Sequence, residues 1–305
     1  MNTLMAGPYH QGSRTVQDRV GVRELADHVG RSIGVAIKDV AAEFLARQPF
    51  LVVGAADPEG RLWASQLTGA PGFVRADHAR RITVTGGLPA EDPLTEALAR
   101  TGTPVGTIAL DPRTRRRMRL NGTLEAVPGG FSVHAEQVFA NCPKYLQKRE
   151  PLETAPEGAG VVRRGGALEA GQVRTVRAAD TFFIATTAVD GIDASHRGGN
   201  PGFVEVRSAG ELAWPDYAGN AMFLTLGNLA ADPRAGLLFP DWETGSVLQL
   251  SGRARTEFGA DGERTVVFAI ESVIENVPAG RLRWSTPEYS PANPPVGAHR
   301  GSTTR

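Results

Sequence analysis

The chain repeats itself at a fixed distance, and this limits its fold more than any single motif does. Residues 63–74, WASQLTGAPGFV, return as residues 193–204, DASHRGGNPGFV, so that Ser65 matches Ser195, 130 positions on. In the same register VGTIALDPRTRRRMRLNG (105–122) lies over AGLLFPDWETGSVLQLSG (235–252), matching Gly106 to Gly236, Leu120 to Leu250 and Gly122 to Gly252. After a short insertion, Val138-Phe139-Ala140-Asn141-Cys142-Pro143 meets Val273-Ile274-Glu275-Asn276-Val277-Pro278. Solenoid and propeller units are roughly 20–50 residues long. A period this much longer reads as one domain present twice.

Each copy reads mainly as strands. Phe50 to Ala56 and Phe182 to Thr187 are apolar runs stopped by turn signals, Asp57-Pro58-Glu59-Gly60 and Asp190-Gly191. Arg81 to Thr85 and Glu211 to Trp214 follow. Next comes a short amphipathic helix in each copy, marked by Leu94, Ala97 and Leu98 or by Phe223, Leu226 and Leu229. Strands at 107–110, 118–120 and 131–139 close copy one, and 237–239, 247–250 and 265–274 close copy two. Glycine (36) and proline (21) make up nearly a fifth of the chain, which favours frequent turns and short strands. Five or six short strands with one helix predict a mainly β fold of two tandem small barrels. Val22, Leu25, Ala26, Val29, Ile33, Ala36, Val40, Phe44 and Leu45 recur at helical spacing ahead of copy one. The predicted organisation is 1–155 for this helix and the first barrel, 156–172 for a linker, 173–286 for the second barrel, and 287–305 for a disordered tail.

Composition removes several function classes. Lysine plus arginine (33) equals aspartate plus glutamate (33), so the chain lacks the basic excess of a nucleic-acid binder or a polybasic membrane binder. No apolar run approaches the roughly 18 residues of a membrane span. The opening MNTLMAGPYHQGSR has no basic region followed by an apolar one, so a cytoplasmic protein is expected. One cysteine, Cys142, excludes an internal disulfide framework and a multi-cysteine zinc site. The six histidines have no metal-like spacing, and no Gly-x-Ser-x-Gly elbow, Walker loop or His-Glu-x-x-His is present.

What the copies do not share points to function. Copy two places Arg197-Gly198-Gly199 where copy one has Leu67-Thr68-Gly69, and Trp214-Pro215-Asp216-Tyr217-Ala218-Gly219-Asn220 where copy one has Val84 to Ala90. Asn228 replaces Leu98 on the helix. A guanidinium fork, hydroxyls and glycines that let backbone N–H groups approach are what a phosphate needs. The Trp-Pro-Asp-Tyr loop is suited to edging a flat heterocycle.

Copy two, with SHRGGNPGFVEV, LAWPDYAGN, LGNLAADPRAGLLF and LQLSGRAR, resembles the pyridoxamine 5'-phosphate oxidase-like, flavin-binding split-barrel superfamily. It is most similar to the predicted flavin-nucleotide-binding members. Copy one, with WASQLTGAPGF, DPRTRRRMRLNG and NCPKYLQKRE, resembles the N-terminal barrel of the larger members, so the likeness covers most of residues 45–285. The resemblance implies six-stranded split barrels with FMN held between two of them. By position it implies Ser195 and Arg197 at the flavin phosphate, and Thr225 and Asn228 on a helix adding polar contacts. It further implies Trp214, Asp216 and Asn220 beside the ribityl chain and ring, and Gln249, Ser251 and Arg253 on a bordering strand. No catalytic residue is implied. Two features depart from the pattern. Leu226-Gly227 stands where relatives often place Leu-Arg, which weakens the grip on phosphate. The C-terminal Arg-x-x-Pro ending of true pyridoxamine phosphate oxidases is not recognisable in RLRWSTPEYSP, so the vitamin B6 reaction itself is not implied.

The expectation is an FMN-dependent oxidoreductase moving two electrons to or from a small organic substrate, since a flavin carries that chemistry on its own ring. A nicotinamide or a separate reductase is the candidate electron donor. A non-catalytic flavin carrier, or a barrel holding deazaflavin or haem, stays open, as does pairing of the barrels within the chain or across a homodimer. His196 alternates away from Ser195 and Arg197 and reads as a surface histidine. Packing explains Cys142 better than redox chemistry, because Val277 takes its place in copy two. The Arg113 to Arg119 run reads as a solvated hairpin, or as copy one's contribution to an anion shared between barrels, with Arg115, Arg117 and Arg119 on one face.

Overall fold

A computed structural model describes residues 7–152, 160–260, 262–277 and 282–296. Three short helices open the chain: α1 (Gln11–Val20), α2 (Arg23–Gly30) and α3 (Asp39–Ala46). The apolar spacing from Val22 to Leu45 is therefore divided between two helices. Between them Gly34 bridges to Val138, so the backbone there bonds to a sheet and leaves the helical path.

Seven antiparallel strands follow: β1 (Phe50–Ala56), β2 (Leu62–Thr68), β3 (Val74–His78), β4 (Arg81–Thr85), β5 (Pro104–Asp111), β6 (Arg116–Val127) and β7 (Gly130–Ala140). The short helix α4 (Thr95–Leu98) lies between β4 and β5. After residue 160 come β8 (Val161–Gly165), α5 (Ala170–Ala178), β9 (Thr181–Ala188), β10 (Gly191–Gly198), β11 (Glu205–Ser208) and β12 (Glu211–Pro215). Helix α6 (Leu224–Ala231) and strands β13 (Arg234–Pro240), β14 (Val247–Phe258) and β15 (Arg264–Val277) complete the fold. The two sheets run in the orders β2-β1-β5-β6-β7-β4-β3 and β10-β9-β13-β14-β15-β12-β11, with β8 added on β15. The order is the same in both. These are two tandem split barrels, and each has one hairpin strand (β3, β11) beyond the five or six expected, because the Pro-Gly-Phe-Val corner feeds a further strand.

The apolar runs lack the usual alternation because both faces of the central strands are covered. On β1, Leu51, Val53 and Ala55 fill barrel one, while Phe50 and Val52 enter a second core shared between barrels. On β9, Phe182 and Ile184 fill barrel two, and Phe183 and Ala185 join the same shared core. The seam is closely packed around glycine. A Cβ on Gly106 would lie 2.6 Å from Ala194 N, and one on the matching Gly236 would lie 2.5 Å from Trp63 Cα. Trp63 and Asp193 also match at the 130-residue separation, so each barrel presses a glycine onto the other's second strand in a two-fold arrangement. The barrels pair within the chain.

Two sequence expectations change. Of the linker at 156–172, residues 156–159 lie outside the described residues, but Val161 to Gly165 is a strand and Ala170 starts a helix. Of the tail at 287–305, residues 297–305 lie outside the described residues, while 287–296 is docked. Glu288 bridges Lys148, and Gln147 accepts from Ser290 N at 2.8 Å and from Asn293 Nδ2 at 3.0 Å. Just upstream, Trp284 packs edge-on to Phe50 and Trp242 in the shared core. Low local hydropathy does not predict disorder when one tryptophan and two side-chain amides anchor a segment. Among the described residues no helix is long and apolar enough to cross a membrane.

Candidate functional site

A cleft of about 860 Å³, including space open to solvent, lies on the seam at the end of β10. Barrel two supplies its polar floor. Ser195 and Arg197 project from one face of β10, where Ser195 Oγ lies 3.0 Å from Thr225 Oγ1 on α6, and Arg197 Nη1 donates to Ser195 Oγ at 3.0 Å. The first turn of α6 opens on the cleft with no side-chain cap at Phe223, so its amide N–H groups remain available to an anion. The loop before it is sharply bent, with Ala221 at φ 60° and Phe223 at φ 54°. It is held by the buried Gln17, whose Nε2 donates to Met222 O at 2.9 Å.

Barrel one supplies the rest of the charge. Arg117 and Arg119 reach in from β6. Arg119 Nη1 is paired with buried Asp193 Oδ2 at 2.9 Å, and Arg117 Nη1 donates to His196 Nδ1 at 2.6 Å. Accepting at Nδ1 leaves the His196 proton on Nε2. That atom, like Nε of Arg117 and of Arg119, is buried without a hydrogen-bond partner among the described residues. Burial, then the arginines around it, holds His196 well below the usual imidazole range, so the ring is neutral. Burial beside Arg119 and Arg197 also pushes Arg117 down to about 9. Against three guanidiniums stand Asp193 and Asp216, the latter 3.9 Å from Arg197 and shared with Arg264 at 2.9 Å. The cleft therefore carries uncompensated, desolvated positive charge, which an incoming anion relieves. At its mouth the Tyr145 and Tyr217 rings meet at 5.1 Å across the seam, and Tyr145 Oη donates to Ala218 O.

Of the residues singled out from sequence, Arg197, Asp216, Asn220 and Thr225 line the cleft, with the buried Ser195 bonded behind them to Thr225 and Arg197. The others do not. Trp214 is in the interior of barrel two, edge-on to Phe182 at 5.0 Å, because β12 turns that position inward. Asn228 bonds Thr186 and His10 on the far side of α6. Gln249 crosses the seam to Ser65 and Ala64 of barrel one, and Ser251 is buried further along β14, where Arg253 is exposed. The physical reason is the two-fold exchange: β14 serves barrel one's corner, and its counterpart β6 serves barrel two's. The Arg113 to Arg119 run held the missing members, although Arg115 turns away to Leu146 O and Glu288.

His196 is a correction. It does point opposite to Ser195, but that face of β10 meets barrel one and not water, leaving the side chain 4% exposed. Cys142 lies in the cleft wall and its carbonyl accepts from Arg117. Gly227, which departs from the pattern of the family the sequence resembles, has a steric cause: α1 lies across α6, and a Cβ there would come within 2.4 Å of Ser13. Among the described residues no cluster of three or more metal-ligating side chains occurs.

No family model and no curated protein matches the chain. The solved structures to which it is similar include a FAD-binding protein from Mycobacterium smegmatis (14% identity, TM-score 0.27, 38% of this chain and 98% of that one). A FAD-binding protein from Mesorhizobium loti matches at 13% identity and TM-score 0.28, over 38% of this chain and 99% of that one. With them stands a candidate pyridoxamine 5'-phosphate oxidase from Lactobacillus delbrueckii, at 14% identity and TM-score 0.31, over 40% of this chain and 98% of its own.

Proposed function

We propose that the chain is a flavoprotein that binds FMN non-covalently in the seam cleft, with the phosphate among Ser195, Arg197, Thr225, Arg117 and Arg119. One observation carries this reading: three largely buried guanidiniums meet at an uncapped helix start with only two carboxylates to balance them. The donor set fits a phosphate monoester, since forked guanidiniums and hydroxyls match its oxygens. Asp216 and Asn220 are placed for the hydroxyls of the ribityl chain, and Tyr145 and Tyr217 for the ring. Bound flavin supplies two-electron chemistry on its own ring. The chain's part is to grip the phosphate, orient the ring and exclude water. The neutral His196 Nε2–H is a hydrogen-bond donor and not a cation.

The activity proposed is oxidoreduction of a small organic substrate in the cytoplasm, with a nicotinamide or a separate reductase as electron donor. Because both walls of the cleft come from one chain, the site does not need a homodimer. Purified protein titrated with FMN should take up one equivalent, turn yellow and quench flavin fluorescence. A colourless protein that leaves FMN fluorescence unchanged would sink the reading. Turnover with NADH or NADPH and a reducible substrate separates an enzyme from a carrier.

A further inference from the structure

We propose that barrel one contains a second phosphate-monoester site closed from within, its anion replaced by the carboxylate of Asp92. This rests on reading the barrel-two corner as a phosphate site. Ser65 matches Ser195, Thr95 matches Thr225, and Gln249 matches Arg119, each at the separation that relates the two barrels. The loops from Val84 to Leu94 and from Trp214 to Leu224 have equal length and leave matching strands, since Val84 pairs with Phe131 and Trp214 with Val266.

In barrel two the corner presents hydroxyls and guanidiniums with no internal anion on the serine. In barrel one Ser65 and Gln249 converge on an oxyanion belonging to the chain, while the Thr95 hydroxyl donates instead to Pro89 O. Ser65 Oγ donates to Asp92 Oδ1 at 2.7 Å and Leu94 N donates to the same oxygen at 2.9 Å. From across the seam, Gln249 Nε2 lies 3.3 Å from Asp92 Oδ2 and 2.9 Å from Ser65 Oγ. Where the open cleft has Arg197 and Arg119, this corner has Leu67 and Gln249. The hydrogen bonds to Asp92 come from neutral donors, and Arg164 is the cation that acts on it among the described residues; loss of solvation prevails and raises its pKa to about 6. The cations and the internal carboxylate are thus alternatives, one set in each barrel.

The test counts bound anions. The double variant Asp92→Ser, Gln249→Arg removes the internal carboxylate and places a guanidinium where the open cleft has Arg119. Equilibrium dialysis against FMN, and separately against inorganic phosphate, should show one more equivalent bound by the variant than by the native chain. A variant with native near-UV circular dichroism and no extra equivalent overturns the proposal. The difference between the two proteins decides it even if the native chain binds nothing, which is the outcome that defeats the barrel-two reading instead. Should the double variant not fold, the reciprocal change decides. Met222 occupies Asp92's position in barrel two, and Met222→Asp should close the open cleft and lower uptake of both probes at least about tenfold. Native uptake by a folded Met222→Asp protein would also overturn the proposal.

Discussion

Among the described residues lining the cleft, Arg197 is the one guanidinium contributed by barrel two itself, and one of its donors is already engaged by Ser195. Replacing it with alanine leaves phosphate oxygens short of a charged partner. Arg197→Ala is expected to weaken FMN binding by about 2–3 kcal/mol, roughly 30- to 150-fold in Kd, as read by fluorescence titration. Asp92 gives a second prediction, whose sign follows from its burial. Its folded pKa, about 6, lies above the ordinary 3.8. The native fold thus holds a proton that the unfolded chain releases first, and Asp92's contribution is full below pH 3.8 and is lost as pH rises through about 6. Besides Ser65, Leu94 and Gln249, the one charged group acting on it is Arg164, which lowers the pKa and does not overcome burial. Urea denaturation should show native stability falling by about 2–3 kcal/mol over that interval relative to Asp92→Asn, whose profile is flatter there. An identical pH slope in both proteins would contradict the assignment.

At the scale of elements, strand positions were readable because turn chemistry and apolar runs are local. Which face of a strand meets water was not. His196 sits where alternation alone predicts solvent, and only the other barrel, distant in sequence, makes that face interior, as it does for Arg117, whose place alternation left open. Gln249 was misplaced for the same reason: a strand's residues belong to the site across the seam, which spacing within one copy does not reveal. The seam depends on backbone approach at glycine. Gly106→Ala drives a Cβ into the Asp193–Ala194 backbone at 2.6–2.7 Å. It is expected to cost about 2–3 kcal/mol in denaturant unfolding and to weaken FMN binding by displacing Arg119. Gly87→Ala, where nothing lies within 4 Å, should change stability by less than about 0.5 kcal/mol.

At the scale of the whole molecule, the repeat in the sequence already indicated two like barrels, and the partnership between them needed the structure. Since Arg117, Arg119, Ser195 and Arg197 belong to one chain, FMN affinity should stay constant when protein is diluted from micromolar to nanomolar. A site shared between subunits would weaken on dilution, so a concentration-dependent Kd would contradict intrachain pairing. Carrying both barrels on one chain has a further result. In a symmetric dimer of identical subunits every substitution appears at both clefts, so a carboxylate like that of Asp92 would silence the pair together. Here each wall is specified separately. Strand β6 can hold Arg117 and Arg119 for the cleft of the neighbouring barrel while its own corner carries the Asp92 carboxylate, so that, under the proposed function, one half serves as scaffold for the other.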